Sequence, residues 1–255
     1  GLPRPEFAHI SMILGPDKTR LSKRHGATSV LAYRDMGYLP EAVINYLARL
    51  GWSHGDQEIF STEEMIELFD LAEVNRAASA FDVDKLKWLN QHYIKEADST
   101  RLTDLLLEKL TLAKLEVSAG PPVEKVVTAL RERAQTIDEF LEKSRYFYSE
   151  ISGYEEGAAK KHLRPVAEGL LVDIRARFES IQTWTASAIH EALEACVAAQ
   201  DSKLGKIAQP LRVAVSGTAA TPPIDETLEL VGKVRTLSRI DAALAFIEKR
   251  KVQGA

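Results

Sequence analysis

From Val30 onward the apolar residues of this chain recur every three or four positions and scarcely anywhere at every second one. That period commits the chain to helices, because only a helix gathers residues three and four apart onto one face, whereas a half-buried strand needs alternation. The punctuation agrees. Val30, Tyr33 and Gly37 close one short helix, and Pro40 stands where a first helical turn tolerates a missing N–H. Val43, Ile44, Leu47 and Leu50 then make an expected apolar stripe that Gly51 ends. Ser61-Thr62-Glu63-Glu64 has capping-box spacing ahead of Met65, Leu68 and Phe69, and Thr136-Ile137-Asp138-Glu139 repeats it ahead of Phe140 and Leu141. Further helices are predicted over 102–115, 123–133, 166–178, 189–198, 227–231 and 237–247, about ten in all. The strand-like exception is Phe7 to Leu14, which runs into a turn at Gly15-Pro16.

A chain of 255 residues has room for two or three compact units. Three stretches read as their boundaries: Gly51 to Gln57, Lys95 to Thr100, and Ser152 to Gly157. No period of 20 to 50 residues repeats, so no solenoid is indicated. No apolar run approaches the ~18 to 20 residues of a membrane span, and Gly1-Leu2-Pro3-Arg4-Pro5 lacks a signal-peptide pattern, so a cytosolic chain with no membrane partner is expected. The single cysteine, Cys196, falls in a helical pattern and reads as a small buried residue. None of the six histidines has a two-ligand helical spacing, so no metal site is expected. Trp52, Trp88 and Trp184 lie among apolar neighbours and read as core. The net charge of −4 hides a basic start, +4 over residues 1–34, an acidic stretch of −8 over 35–100, and a basic end of +3 over 201–255. Basic ends around an acidic middle would let a long polyanion touch two separated places.

The most informative stretch is Leu14-Gly15-Pro16-Asp17-Lys18-Thr19-Arg20-Leu21-Ser22-Lys23-Arg24-His25-Gly26. It carries Lys18, Arg20, Lys23 and Arg24 close together with a hydroxyl and two glycines, a composition that gathers around phosphates. Lys23 would serve as a mobile point charge on developing polyphosphate charge, Ser22 as a hydrogen-bond donor, and Gly26 as a hinge.

Arg20 to Val30 resembles the Lys-Met-Ser-Lys-Ser signature loop of the glutamyl-tRNA synthetase family. The likeness continues through Tyr33 to Leu47, Leu50-Gly51-Trp52-Ser53, Phe81 to Asn90, Tyr93-Ile94, Lys203 to Gly217 and Leu230-Val231-Gly232-Lys233, with looser matches at Arg131-Glu132-Arg133 and Arg145-Tyr146-Phe147. The resemblance implies a class I enzyme of bacterial type that attaches glutamate to its tRNA, with ATP and Mg²⁺, through a glutamyl-adenylate. Ser22, Lys23 and Arg24 would then be catalytic, with Lys23 and Arg20 on the ATP phosphates. The His-Ile-Gly-His signature of the family's Rossmann half is missing: His9-Ile10-Ser11-Met12 begins similarly but reads as strand. The chain is therefore expected to be a C-terminal piece cut just before the loop, one that binds tRNA(Glu), meets ATP and glutamate only through the missing half, binds no cofactor itself, and is monomeric.

The implied fold is mainly α, with serial helical domains after a short strand and loop of the catalytic domain: 1–27 the end of that domain, 28–98 a helical stem-contact domain, and 99–156 and 157–255 the two parts of an all-helical anticodon-binding domain. A glutaminyl enzyme would carry β-barrels there instead. Reading unstacked anticodon bases needs donors to base edges beside a flat cation or aromatic ring. The family's positions put Arg212 on a base, at a helix or turn junction after Pro210, with Thr221, Pro222 and Ile224 lining the same pocket and Arg131 or Arg133 at the last base of the triplet. Two other classes stay open at this point: a helical protein-interaction scaffold whose basic loop is incidental, and a DNA-binding helical protein that lacks a basic recognition helix.

Overall fold

The computed structural model describes residues 2–26 and 29–253, so Gly1 and the Ala27-Thr28 end of the basic loop lie outside the described residues. In chain order the elements are β1 Ile13–Leu14, α1 Val30–Asp35, α2 Pro40–Arg49, α3 Thr62–Leu68, β2 Ser79–Ala80, α4 Val83–Glu96, α5 Ser99–Leu112, α6 Val123–Leu130, α7 Ile137–Tyr148, α8 Glu156–His162, α9 Glu168–Ser180, α10 Ala186–Ala199, α11 Leu204–Ser216, α12 Ile224–Val231 and α13 Lys233–Gln253. The mainly helical reading holds. The chain separates into two compact units, Gly1–Asp98 with Ala134–Phe140, and Ser99–Arg133 with Leu141–Ala255.

In the first unit β1 runs parallel to β2 with Ile13 opposite Ser79 and Leu14 opposite Ala80. The strand expected over residues 7–14 shrinks to its last two residues. Phe7, Ile10 and Met12 are exposed, and no strand among the described residues pairs with them to make a ladder. Tyr38, Val43, Tyr46, Phe81, Leu86 and Leu89 form the core against which Ile13, Leu21 and Tyr33 pack. The stripe on α2 differs from expectation: Ala42, Val43 and Tyr46 are buried while Ile44 and Leu47 face out. Trp52 is core as expected, but Trp88 on α4 is 47% exposed.

Two buried asparagines tie this unit together. The Asn45 side chain accepts from the Phe60 N–H at 2.8 Å and donates to the Glu58 carbonyl at 3.0 Å. Asn90 accepts from the Leu39 N–H at 2.8 Å and donates to the Gln135 carbonyl at 2.5 Å, which holds the 134–140 stretch in place. That stretch also sits against Gly37, whose carbonyl accepts from the Ile137 N–H at 2.9 Å. Gly37 has φ +79°, and a Cβ there would lie 2.7 Å from the backbone nitrogens of Ile137 and Asp138, so only glycine fits.

In the second unit α5 packs on α6, and α8 to α13 enclose a core built on Leu171, Ile174, Phe178, Leu193, Ile207 and Leu211. Cys196 is fully buried in it. Pro210 lies inside α11, which corrects the expected junction: Arg212 projects from a continuous helix. The helix survives its missing N–H because burial of most of its residues outweighs one lost ladder bond. The stretch Ser152 to Gly157, read as a boundary, runs into α8, which starts at Glu156.

The basic residues of α13 close the ends of other helices, whose last carbonyls lack partners of their own. Arg239 donates to the carbonyls of Tyr146 (2.9 Å), Val215 (2.6 Å) and Ser149 (2.9 Å). Arg235 reaches Phe147 and Ala119, Arg250 reaches Ala159 and Leu163, and Lys233 reaches Glu179 and Ile181. So α13 caps α7, α8, α9 and α11, and cations at helix C-termini also meet a favourable dipole.

Candidate tRNA-binding site

The basic loop is braced from within. Asp17 accepts from the backbone N–H and hydroxyl of Thr19 at 3.0 and 2.8 Å, and these bonds hold its carboxyl down at about 2. Arg24 donates to Asp17 (3.3 Å) and to the Thr19 hydroxyl (2.7 Å). His25 accepts from the Ser22 N–H through Nδ1 at 3.1 Å and meets Asp17 through Nε2 at 3.2 Å. Gly15 makes room for that ring, since a Cβ there would come within 2.9 Å of it. The structure thus groups Ser22, Lys23 and Arg24 in one short turn, Lys23–His25, but gives them different positions. Ser22 and Arg24 belong to the brace, whereas Lys18, Arg20 and Lys23 are exposed with no ion-pair partner among the described residues. Asp17, Thr19 and His25 were not singled out from sequence, although Asp-x-Thr is a recurring side-chain-to-backbone turn signal.

The second locus is built by α11, α12 and the loop between them. Gly217, with φ +81°, ends α11 in the left-handed conformation and Pro223 stands just ahead of α12. One guanidinium nitrogen of Arg212, Nη1, donates to the Thr221 carbonyl at 3.0 Å, the Thr221 hydroxyl at 2.5 Å and the Pro222 carbonyl at 2.5 Å. Nε and Nη2 make no such bond among the described residues, so the planar group is anchored at one corner with donors left over. Burial, and then the charge of Arg133, lower the proton affinity of Arg212. Thr221 and Pro222 are buried, so the structure brings Arg212, Thr221 and Pro222 together, while Ile224, the first residue of α12, is buried in the core of the unit. Of the two helix-end arginines, Arg133 is the one whose charge reaches Arg212; Arg131 caps α6 and donates to Ser99 at 3.3 Å.

Thr227 was missed from sequence. Its hydroxyl donates to the Pro222 carbonyl at 3.2 Å and reaches the Thr221 hydroxyl at 3.3 Å. A threonine on the apolar stripe Ile224, Leu228 and Val231 is the signal that marked it, since a polar group on a core face must have partners there. Tyr146, buried beside Arg212 and Arg239, has its phenol pushed well above the usual range by burial. It borders a cavity of about 420 Å³ that Arg145, Ser216, Thr218 and Ala220 also line.

Residues 86–244 match the anticodon binding domain family, and residues 1–88 match the catalytic domain of the class I tRNA synthetases (E and Q). Glutamate–tRNA ligase 1 of Nitrosococcus oceani is 53% identical over 250 residues, 98% of this chain and 53% of that protein. The enzyme of the same name from Alkalilimnicola ehrlichii is 50% identical over the same shares. The crystal structure of a glutamate tRNA ligase from Elizabethkingia meningosepticum, in complex with its amino acid, superposes with a TM-score of 0.81 at 32% identity, covering 96% of this chain and 52% of that one. The chain spans about half the length of the relatives it matches. A helical body over 86–244 thus places this chain in the anticodon binding domain family, with the braced basic loop inside its match to the class I catalytic domain and with glutamate–tRNA ligases among its homologues.

Proposed function

We propose that this chain is the tRNA-reading portion of a glutamate–tRNA ligase, binding the anticodon of tRNA(Glu) with Arg212, Thr221, Pro222 and Ile224 and with Arg133 as the nearest further cation. The observation that carries the reading is the anchoring of Arg212 by three oxygens on one nitrogen, which fixes the plane of the fork and leaves Nε and Nη2 to grip a base edge. Anchoring before binding removes much of the ordering cost that a free arginine would carry.

In the whole enzyme the loop would meet ATP, whose polyphosphate fits the exposed cations Lys18, Arg20 and Lys23. ATP supplies the phosphoanhydride that activates glutamate as the adenylate. Lys23 would follow the growing charge on the phosphates, Ser22 and Arg24 would hold the turn's shape, and Gly26 would let it close. Mg²⁺ in the whole enzyme would accompany the nucleotide's phosphates; among the described residues no group of three or more His, Cys, Asp or Glu is arranged to hold a metal ion. The expected division follows the same reading: 1–27 for the end of the catalytic domain, 28–98 for the stem contact, 99–156 and 157–255 for the anticodon.

Arg212→Ala tests the proposal. Affinity for a tRNA(Glu) anticodon stem-loop should fall by about 1 to 3 kcal/mol, and by less for a base-substituted one, with helix content unchanged. Equal losses for both would make Arg212 a phosphate contact, and no RNA binding at any salt would favour a protein-interaction scaffold.

A further inference from the structure

Apart from the Arg212 pocket, the second unit holds a cavity of about 420 Å³ between the end of α8, the turn Pro165–Ala167 and the start of α11. Its floor is apolar, with Ala167 and Pro210 buried and Leu170 partly so. Its rim is cationic: Lys161, Arg164 and Lys206, joined by His162 and Gln209, and no carboxylate lines it.

None of these five side chains has a hydrogen-bond or ion-pair partner among the described residues. Arg175, Arg177, Arg212, Lys233, Arg235, Arg239, Arg250 and Lys251 each hold a carboxylate or a carbonyl, whereas the rim, like exposed Lys160 and Lys249, keeps its charge available to a ligand, and the rim alone gathers it around a concavity. Unpaired like charges around one concavity repel each other, and His162 registers them: burial, then Lys161 and Arg164, make its ring harder to protonate.

The first turn of α11 adds neutral donors. The Lys206 N–H donates to the Lys203 carbonyl at 2.8 Å, and nothing lies within 4 Å of where a Cβ on Gly205 would stand, so the N–H groups of Leu204 and Gly205 are approachable beside the cations.

We infer that this cavity seats a backbone phosphate of the RNA whose anticodon Arg212 reads. The inference rests on the proposed function, and it commits to a phosphodiester in a strand because of what lies next to the charge. Val166, 75% exposed, and Leu170 offer an apolar ledge that sugar or base can cover and a free phosphate cannot. Lys206 and Arg212 share one helix, six residues or about 9 Å of axis apart at 1.5 Å per residue and about 120° apart around it, so a strand that reaches both follows the helix surface round from one to the other. The cavity fixes register and carries no sequence information, while Arg212 reads the base.

The test compares Lys161→Gln/Arg164→Gln/Lys206→Gln with the unaltered 255-residue chain. Binding of a labelled tRNA(Glu) anticodon stem-loop is followed by fluorescence anisotropy across a salt series, and helix content by circular dichroism. The slope of log K against log salt should become shallower by about one unit for each phosphate lost, with equal weakening for cognate and base-substituted loops. Lys206→Gln alone, at an exposed helix position, gives the same reading should the triple variant not fold. An unchanged slope while Arg212→Ala still weakens binding overturns the cavity and leaves the proposed function standing. Absence of RNA binding by the unaltered chain overturns both. A third arm titrates inorganic phosphate against the His162 ring by NMR: saturation there together with an unchanged RNA slope makes this a small-anion site and overturns the RNA assignment.

Discussion

Replacing Arg239 by methionine keeps the aliphatic stem and removes the guanidinium. The side chain is 3% exposed, and its donors serve three carbonyls, those of Tyr146, Val215 and Ser149. Each buried acceptor left without a donor costs about 1 to 3 kcal/mol, which gives roughly 3 to 9 kcal/mol in all. Two effects reduce this: water reaches some of the carbonyls, and the buried charge no longer has to be desolvated, a relief that in other buried pairs amounts to several kcal/mol. Among the described residues the one carboxylate in range, Glu150, is 3.7 Å away and 77% exposed, so the guanidinium is held chiefly by carbonyls and removing it strands no buried anion. We expect a net loss of about 3 to 5 kcal/mol in the second unit. Urea titration followed by hydrogen exchange and mass spectrometry resolves that unit through peptides covering Leu171 to Phe178, while peptides covering α2 and α4 report the first unit. Arg175→Met is the control, because its partners Asp241 and Glu179 are exposed and solvent screens them. A loss below about 1 kcal/mol for Arg239→Met, or one no larger than the control, would refute the idea that α13 stabilises the unit by capping.

Gly37→Ala forces a left-handed φ and a contact of 2.7 Å with backbone nitrogens, which should cost about 2 to 4 kcal/mol and lower the melting temperature of the first unit in calorimetry. The Asp17 carboxyl has a lowered proton affinity in the folded loop, so its bracing is present above the ordinary value of 3.8 and is lost as pH falls through about 2; the Thr19 amide resonance, whose N–H donates to that carboxyl, should move within that range and not above it. Burial and the neighbouring Asp173 push the Cys196 thiol up to about 12, so a thiol reagent should leave the native chain unmodified at pH 8 and react fully in denaturant; modification of the native chain at the rate of a free thiol would contradict that burial.

Much of the fold was legible because its signals are local. Pro40 and Ser61 start helices where expected, and the Ser61–Glu64 capping box forms with both reciprocal bonds. What was misread depended on neighbours. Ile44 and Leu47 fit a helical period but lie on the face of α2 that unit leaves open. Pro210 reads as a helix end until the burial around it is known, and Phe7 to Met12 reads as a strand until the absence of a partner ladder is known. The site followed the same division. Arg212 with Thr221 and Pro222 came from family positions, and the geometry explains why they travel together. The cations of α13 were visible as a basic tract open to a polyanion, yet their targets are backbone carbonyls, which every residue has and no residue type announces.

The reach of α13 also sets an order of events on the ribosome. Helices α7, α8, α9 and α11 are made well before Lys233, and until the stretch from Lys233 to Arg250 leaves the exit tunnel their last carbonyls have water in place of those cations. At about 5 to 20 residues per second, the roughly 90 residues between the end of α8 and the end of α13 take about 4.5 to 18 s to make, during which the earlier helices can collapse against each other without their closing partners. A slowed or stalled message in this stretch would therefore expose a half-finished bundle to chaperones and proteases, while the first unit, whose last segment ends at Phe140, is already complete.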